Sequence, residues 1–278
     1  MSKMRLAGRT AVVTGAASGI GRGLAIVLAR RGCHLALADV NSAALNDTSA
    51  LARAAAASGE PVRISQHQLD VAESAAVAAF PSVVRDTHPS VDLLFNNAGV
   101  SLGGTFEQIS AEDFDWLMAI NFVGVVRMTR AFLPMLRQSD DARIVNLSSI
   151  FGIIAPAGQT AYSASKFAVR GFSNALRHEL AGTDVGVSVV HPGGVATNIA
   201  KSARFSAQWS AGEKAQALAN AAKALRMPPE EAARRIVRGV EERRARIIVG
   251  ADAKLLTLLE RIAPVGYGTV LARLMPKP

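Results

Sequence analysis

The chain has 278 residues, half of them apolar and 19% charged, which is enough for a large core and excludes a disordered composition. Its single cysteine, Cys33, excludes an internal disulfide framework and suits a reducing cytoplasm. The formal charge of +9 is unevenly placed: residues 201–278 carry 15 Lys/Arg against 7 Asp/Glu, while the first 200 carry 16 against 15.

The basic start, Met1 to Arg9, has no apolar stretch before the first strand, so no signal peptide is expected. No uninterrupted apolar run approaches the ~18 residues of a membrane span. Basic residues interleaved with stacking aromatics are absent, which argues against a nucleic-acid partner. The five histidines (His34, His67, His88, His178, His191) have no ligand spacing, so no metal is expected and each reads as surface or strand-end structure. Cys33 opens an apolar run and reads as a buried strand residue.

The first strand is Thr10–Thr14, followed by Gly15-Ala-Ala-Ser18-Gly19-Ile20-Gly21 and a helix to about Arg31. Glycines there let the backbone approach a pyrophosphate, and the helix start presents free N–H groups and a positive dipole end. The second strand, Cys33 to Ala38, ends in Asp39, whose carboxylate can accept hydrogen bonds from adenosine ribose hydroxyls and would repel a 2′-phosphate. That favours NAD over NADP, although Asp39 could instead open the next helix as a cap or turn residue. A helix from Ser42 to Ala57 and a strand from Pro61 to Gln68 lead to Asp70-Val71. Asp70 could meet an adenine amino group or cap the following helix.

The fourth strand, Val91 to Phe95, runs into Asn96-Asn97-Ala98-Gly99, residues that form turns in their own right and also place small backbone beside a nucleotide. A long helix, about Asp113 to Arg137, carries Asn121 among apolar neighbours. Asn is an indifferent helix former, so a specific hydrogen bond is expected of it. Trp116 and Phe122 read most simply as core. The fifth strand, Arg143 to Leu147, ends in Ser148-Ser149. The helix after it carries Tyr162 and Lys166 four apart, on one face. An ammonium beside a phenol favours the phenolate and lowers its pKa. The sixth strand, Val185 to Val190, leads to His191-Pro192-Gly193-Gly194-Val195-Ala196-Thr197.

Strands alternating with crossover helices imply an α/β fold, a parallel sheet covered on both faces. Ligands then lie at the carboxyl ends of the strands, where strand order reverses. Gly15–Gly21, Asp39, Asp70, Asn96–Gly99, Ser149 and Pro192–Thr197 all fall at such ends.

Taken in order, Thr14-Gly-x-x-x-Gly-x-Gly21, Asn96-Asn-Ala-Gly99, a serine thirteen residues before the tyrosine, Tyr162-x-x-x-Lys166 and Pro192-Gly-x-Val-x-Thr197 closely resemble the classical short-chain dehydrogenases/reductases. The resemblance covers about residues 8 to 200. It implies a single-domain Rossmann-type, doubly wound sheet and hydride transfer between a nicotinamide cofactor and an alcohol or ketone. It also implies that Tyr162 is the general acid/base, that Lys166 lowers its pKa and binds the nicotinamide ribose, and that Ser149, rather than Ser148, bonds the substrate oxygen. Asn121 would hold a water continuing a proton relay. Val195 and Thr197 match positions that contact the nicotinamide carboxamide, and Arg22 is a weak reason to prefer NADP. The nucleotide contacts would come from Gly15, Ser18, Gly19, Ile20, Gly21, Asp39, Asp70, Val71, Asn97, Ala98, Gly99, Pro192, Gly193, Val195 and Thr197. The resemblance further implies a homodimer or homotetramer in the cytoplasm.

Residues 1–250 are expected to form the Rossmann domain, with 198–228 as a substrate lid. Ile150–Ile154, Phe205 and Trp209 suit an apolar alcohol or ketone. Alternative activities are an NADPH-dependent 3-oxoacyl reductase on an acidic carrier protein and a non-catalytic nucleotide-binding scaffold. Pro228-Pro229-Glu230-Glu231 opens a helix with Arg243, Arg244 and Arg246 near its end, and Ile247–Val249 reads as the last strand. The extension 251–278, apolar from Leu255 to Met275, could pack on its own or a neighbouring subunit, touch a lipid surface, or cover the substrate mouth.

Overall fold

The computed structural model describes residues 3–56 and 61–274; the expected helix end at Ala57 and tail end at Met275 lie outside the described residues. Seven parallel strands form one sheet. In chain order its first half comprises β1 (Thr10–Thr14), α1 (Gly19–Arg30), β2 (His34–Asp39), α2 (Ser42–Ala55), β3 (Ile64–Gln68), α3 (Ser74–Arg85) and β4 (Leu93–Asn96). A two-residue strand β5 (Leu102–Gly103) and α4 (Ala111–Met118) follow. A π-helical turn at Ala119–Val123 joins α4 to α5 (Gly124–Leu136). Next come β6 (Ala142–Leu147), a 3₁₀ turn at Ile150–Gly152, α6 (Thr160–Glu179) and β7 (Val185–Pro192). The chain continues through β8 (Arg204–Phe205), α7 (Ala211–Ala224), α8 (Pro229–Glu241) and β9 (Arg246–Val249), then α9 (Ala251–Ile262) and α10 (Tyr267–Leu274).

Strand order is β3-β2-β1-β4-β6-β7-β9, so the order reverses between β1 and β4. All pairs are parallel. A parallel sheet covered on both faces needs strands that are apolar throughout, and β1, β4 and β6 are buried along their whole length. One core packs Leu24, Leu28, Ile236 and Val237 of α1 and α8 against Val13, Leu35 and Val145. The other packs Phe80, Met128, Phe132 and Leu176 of α3, α5 and α6 against Val12, Leu94 and Ile144. This is the expected single-domain, doubly wound Rossmann-type fold.

A buried polar ladder crosses the second face. Asn96 Nδ2 donates to Thr129 Oγ1 at 3.0 Å and to Asn146 Oδ1 at 2.8 Å, and Asn146 Nδ2 donates to Ser173 Oγ at 2.9 Å. It ties β4 and β6 to both long helices. Buried polar groups that are paired specify one packing register, because any slip would strand them without partners.

Several local expectations change. The long helix is interrupted by the π turn that holds Asn121. From Ala111 to Leu136 the helical run is long and apolar enough to cross a bilayer, yet Met128, Phe132 and Leu136 on its inner side are core residues under the sheet. Trp116 packs at the margin of the cluster of Leu102, Leu117 and Ala161; it is half-buried, and the Arg204 guanidinium lies 3.7 Å from its ring centroid on the open side. Phe122 is also half-buried, edge-on to Phe172. Arg243, Arg244 and Arg246 fall beyond α8, whose last turn carries Arg238 instead. His88 is fully buried rather than at the surface, with Nε2 at 2.9 Å from Ser65 Oγ. Cys33 is buried as expected but stands just before β2 rather than in a strand, and burial pushes its thiol up to about 12.

α9 and α10 fold back on the 3₁₀ turn. Ala253 and Leu271 join Ile150, Ile153 and Ile154 in a small cluster, and Ala155 N–H donates to Tyr267 Oη at 3.1 Å. Leu255, Leu258, Ile262 and Val265 stay exposed.

Candidate active site

At the carboxyl edge of the sheet, β1 ends in a turn that only small residues can make. Gly15 and Gly19 have φ of +64° and +53°. A Cβ on Gly21 would lie 2.0 Å from the Gly15 carbonyl oxygen. Ser18 is the N-cap of α1, but its side chain makes no capping bond, so the first-turn N–H groups of α1 lack a side-chain cap. This is the donor set that a pyrophosphate fits.

Thr14 Oγ1 accepts hydrogen bonds from the Asn97 and Ala98 N–H groups at 3.0 and 3.1 Å. Asn97 Nδ2 donates to the Thr14 and Gly15 carbonyls at 2.9 and 3.0 Å. The two switch-point loops are thereby joined. Asp39 does not cap α2; Asn41 does, accepting from Ala44 N–H at 3.0 Å. Asp39 does take the turn role, Oδ1 accepting from Asn41 N–H at 3.0 Å, while Oδ2 accepts from Ala17 N–H at 2.9 Å, which holds the carboxylate against the glycine loop. Arg22 is committed elsewhere, donating to the Ala17 carbonyl at 2.6 Å and to Thr48 Oγ1 at 3.0 Å. Asp70 is not the cap of α3 either, since Glu73 holds that position. Asp70 Oδ1 accepts from Ala72 N–H at 2.8 Å, and Val71 beside it packs on Gly124.

Ser148 and Ser149 have separate tasks. Ser148 is buried and donates to the Lys166 carbonyl at 2.8 Å. Ser149 is half-buried and accepts from Phe151 N–H at 3.1 Å, and its hydroxyl is near enough to the Tyr162 phenol to favour the phenolate. Lys166 is only 4% exposed. Its Nζ lies 5.6 Å from the Tyr162 ring centroid and donates to the Leu147 carbonyl at 3.1 Å. Burial lowers its ammonium to about 8. The expected lowering of the Tyr162 phenol is not what this arrangement gives. Burial pushes it up, opposed by the Ser149 hydroxyl, because a phenolate loses more solvation here than these neighbours return.

Asn121 is fully buried, with its side chain committed to backbone. Oδ1 accepts from Val100 N–H at 2.8 Å, while Nδ2 donates to the Val100 carbonyl at 3.0 Å and to Ser165 Oγ at 3.2 Å. Gly99 passes so close that a Cβ there would lie 3.2 Å from Asn121 Oδ1 and 3.4 Å from Lys166 Nζ.

Pro192 ends β7, and Gly193 N–H donates to the Val249 carbonyl at 2.8 Å. Val195 is buried and bridges to Met227, and the Thr197 methyl lies against Gly19. Ile20 is half-buried beside this region and packs on the core. Within the segment 198–228, β8 pairs with β5. Trp209 Nε1 donates to Gln108 Oε1 at 2.9 Å, and its ring stacks at 5.5 Å from that of Phe205. No residue of α7 is fully buried.

Three features escaped sequence reading. Asn146 in the buried ladder carried a signal, a polar residue inside an apolar strand, whereas Ser173 on α6 carried none. Asp252 carried none: at the start of α9 it accepts from Gly194 N–H at 2.7 Å, 58 residues away in the chain.

The profile of the short chain dehydrogenase family matches residues 9–207. SadH of Mycobacterium tuberculosis, named as an oxidoreductase, is 41% identical over 269 residues, covering 95% of this chain and 94% of its own length. A short-chain dehydrogenase/reductase from Burkholderia phymatum, solved in complex with NAD, superposes with a TM-score of 0.84 at 33% identity, covering 94% of this chain and 95% of its own. One from Streptomyces avermitilis gives a TM-score of 0.79 at 28% identity, covering 96% and 97%. The chain belongs to the short-chain dehydrogenase/reductase family of oxidoreductases.

Proposed function

We propose that the protein is an NAD-linked oxidoreductase that interconverts an alcohol and a ketone on an apolar small molecule. The observation that carries this reading is the meeting of Ser149, Tyr162 and Lys166 beside the uncapped glycine turn. The loop Gly15–Gly21 would hold the pyrophosphate, Asp39 the adenosine ribose, Asp70 and Val71 the adenine, and Asn97–Gly99 the nearby backbone side. Pro192, Gly193, Val195 and Thr197 would hold the nicotinamide, with Lys166 at its ribose. When bound, the nicotinamide accepts hydride from an alcohol carbon or gives it to a ketone carbon.

The chain's own part is the oxygen and its proton. Ser149 Oγ donates to the substrate oxygen, and Tyr162 Oη passes a proton to that oxygen in reduction or takes it in oxidation. Lys166 adds positive charge next to the phenol, which favours the phenolate against the effect of burial. Asn121 acts as a positioning residue, since its carboxamide spans Val100 and Ser165, and Ser165 Oγ donates to the Tyr162 carbonyl at 2.7 Å. Phe151, Phe205 and Trp209 favour an apolar substrate. The same reading takes 1–250 as the catalytic domain, 198–228 as its lid and 251–278 as an extension, in a cytoplasmic homo-oligomer.

Calorimetric titration with NADH and NADPH tests the cofactor, using wild type, Asp39→Ala and Asp39→Asn. Preference for NADH that falls in both variants supports the reading, because Asn can still accept from Ala17 N–H and loses only the charge. Tighter NADPH binding by the wild type overturns it. Turnover confined to sugars or polyols, with none on hydrophobic secondary alcohols, overturns the substrate class.

A further inference from the structure

At the opposite edge of the sheet, the second residue of β6 is unusual for a central strand. Arg143 is 7% exposed and stands in register between Leu93 and Gly186. Its guanidinium crosses Gly186, where a Cβ would lie 2.6 Å from Nη2. Nη1 donates to Ser188 Oγ at 2.9 Å, and Nε has no partner. Among the described residues no carboxylate forms an ion pair with Arg143. The nearest carboxylate favouring its charge, Asp141, is engaged through both oxygens by the Arg243 guanidinium, with Arg9 Nη2 also 4.0 Å away. A buried guanidinium without a countercharge is costly, since water no longer solvates it and no anion replaces the water.

The group is not sealed. Arg143 lines a cleft of about 290 Å³ between the α6–β7 and α8–β9 connections, together with Arg177 and Arg243. Three guanidinium groups thus line a cleft with no carboxylate among its lining residues, and Asp141 near it is already engaged by Arg243. Both burial and the neighbouring Arg243 disfavour the charged form of Arg143, so an anion in the cleft would relieve both.

We propose that this cleft binds a small phosphate-type oxyanion, either inorganic phosphate or the phosphate of a small monoester, with Arg143 and Arg177 as its ligands. Fork-shaped donors fit tetrahedral oxyanions in a bidentate way, and partial burial keeps the interaction from being screened as a surface pair would be. The cleft lies at the amino ends of β6 and β7, remote from the carboxyl edge where Ser149 and the glycine turn sit. The proposal therefore does not depend on the hydride reaction.

Thermal unfolding of the full chain tests it, with inorganic phosphate and glycerol 3-phosphate as probes and chloride at matched ionic strength as control. Phosphate is expected to raise Tm by roughly 5 °C at about 100 times its Kd, and chloride to leave it unchanged. A larger response to glycerol 3-phosphate identifies a monoester as the ligand, and an equal or smaller one identifies free phosphate. Arg177→Gln, at a half-buried position, should weaken the response. Arg143→Met should abolish it while raising Tm in phosphate-free buffer, because it removes an unpaired buried charge. A response no larger than chloride gives overturns the proposal. So does a response that survives both substitutions, which would place the phosphate in the glycine turn of β1.

Discussion

Asp252 Oδ2 accepts the Gly194 N–H at 2.7 Å, so the first turn of α9 holds the loop that follows β7. That loop in turn touches the glycine turn through Thr197 and Gly19. A charge-assisted bond at an exposed site contributes about 1 kcal/mol. Asp252→Ala is therefore expected to weaken nicotinamide-cofactor binding about fivefold, with Asp252→Asn recovering part of it. Calorimetry on the two variants checks this, and unchanged affinity in Asp252→Ala would remove α9 from the cofactor site.

Lys166 has a folded pKa lowered from 10.5 to about 8 by burial. Between these values the unfolded chain holds a proton that the folded chain has lost, so this group makes stability rise with pH across that window. Below pH 8 the buried ammonium costs about 3 kcal/mol. Lys166→Met is expected to unfold at a higher temperature than wild type at pH 7, to lose that advantage towards pH 10, and to show no turnover. Thermal unfolding of both proteins across pH 7–10 reads the difference, and a constant gap would contradict it.

His88 and His191 are fully buried, and each is lowered from 6.5 to about 4, chiefly by burial. Here the folded state resists protons that the unfolded chain binds below pH 6.5, so stability falls as pH drops from 6.5 to 4. Each histidine contributes about 3 kcal/mol of that loss. Denaturant unfolding of His191→Asn at pH 7 and pH 4.5 should show the gap to wild type closing at the lower pH. A gap that stays constant would mean that His191 protonates while folded.

Arg204 ties the segment proposed as a lid to α4. Its Nη1 meets Asp113 Oδ1 at 2.9 Å, and its guanidinium covers the Trp116 ring. A cation–π contact and an exposed ion pair together contribute about 1–2 kcal/mol. Arg204→Ala is expected to raise KM for an apolar substrate about tenfold with little change in cofactor affinity, and to speed proteolysis within residues 198–210. Equal proteolysis rates in the two proteins would show that the segment is held without Arg204.

Much of the carboxyl edge was legible because its signals are local. Gly15, Gly19 and Gly21 mark a turn that larger residues cannot make, and Tyr162 and Lys166 share a helix face by spacing alone. Asn121 among apolar neighbours announced a specific bond, which proved to be to Val100 and Ser165. The broken long helix was not legible, because a π turn differs from an α turn by one residue of register and leaves no composition signal. That Trp116 packs on its cluster with only one face was not legible for a related reason: an aromatic at helical spacing does not reveal that a guanidinium will cover its other face.

The sequence by itself determined the alternation of strands and helices, the turns at strand ends and the identity of the chemical groups, since each follows from backbone preferences and side-chain spacing within a few residues. Only the tertiary structure decided what those groups are surrounded by. Burial raised the Tyr162 phenol and left Arg143 Nε without a partner, while packing paired Asn96 with Asn146 across 50 residues and brought Asp252 to Gly194 across 58. Desolvation and long-range hydrogen bonds depend on which distant segments meet, and that is set by the packing of helices on the sheet.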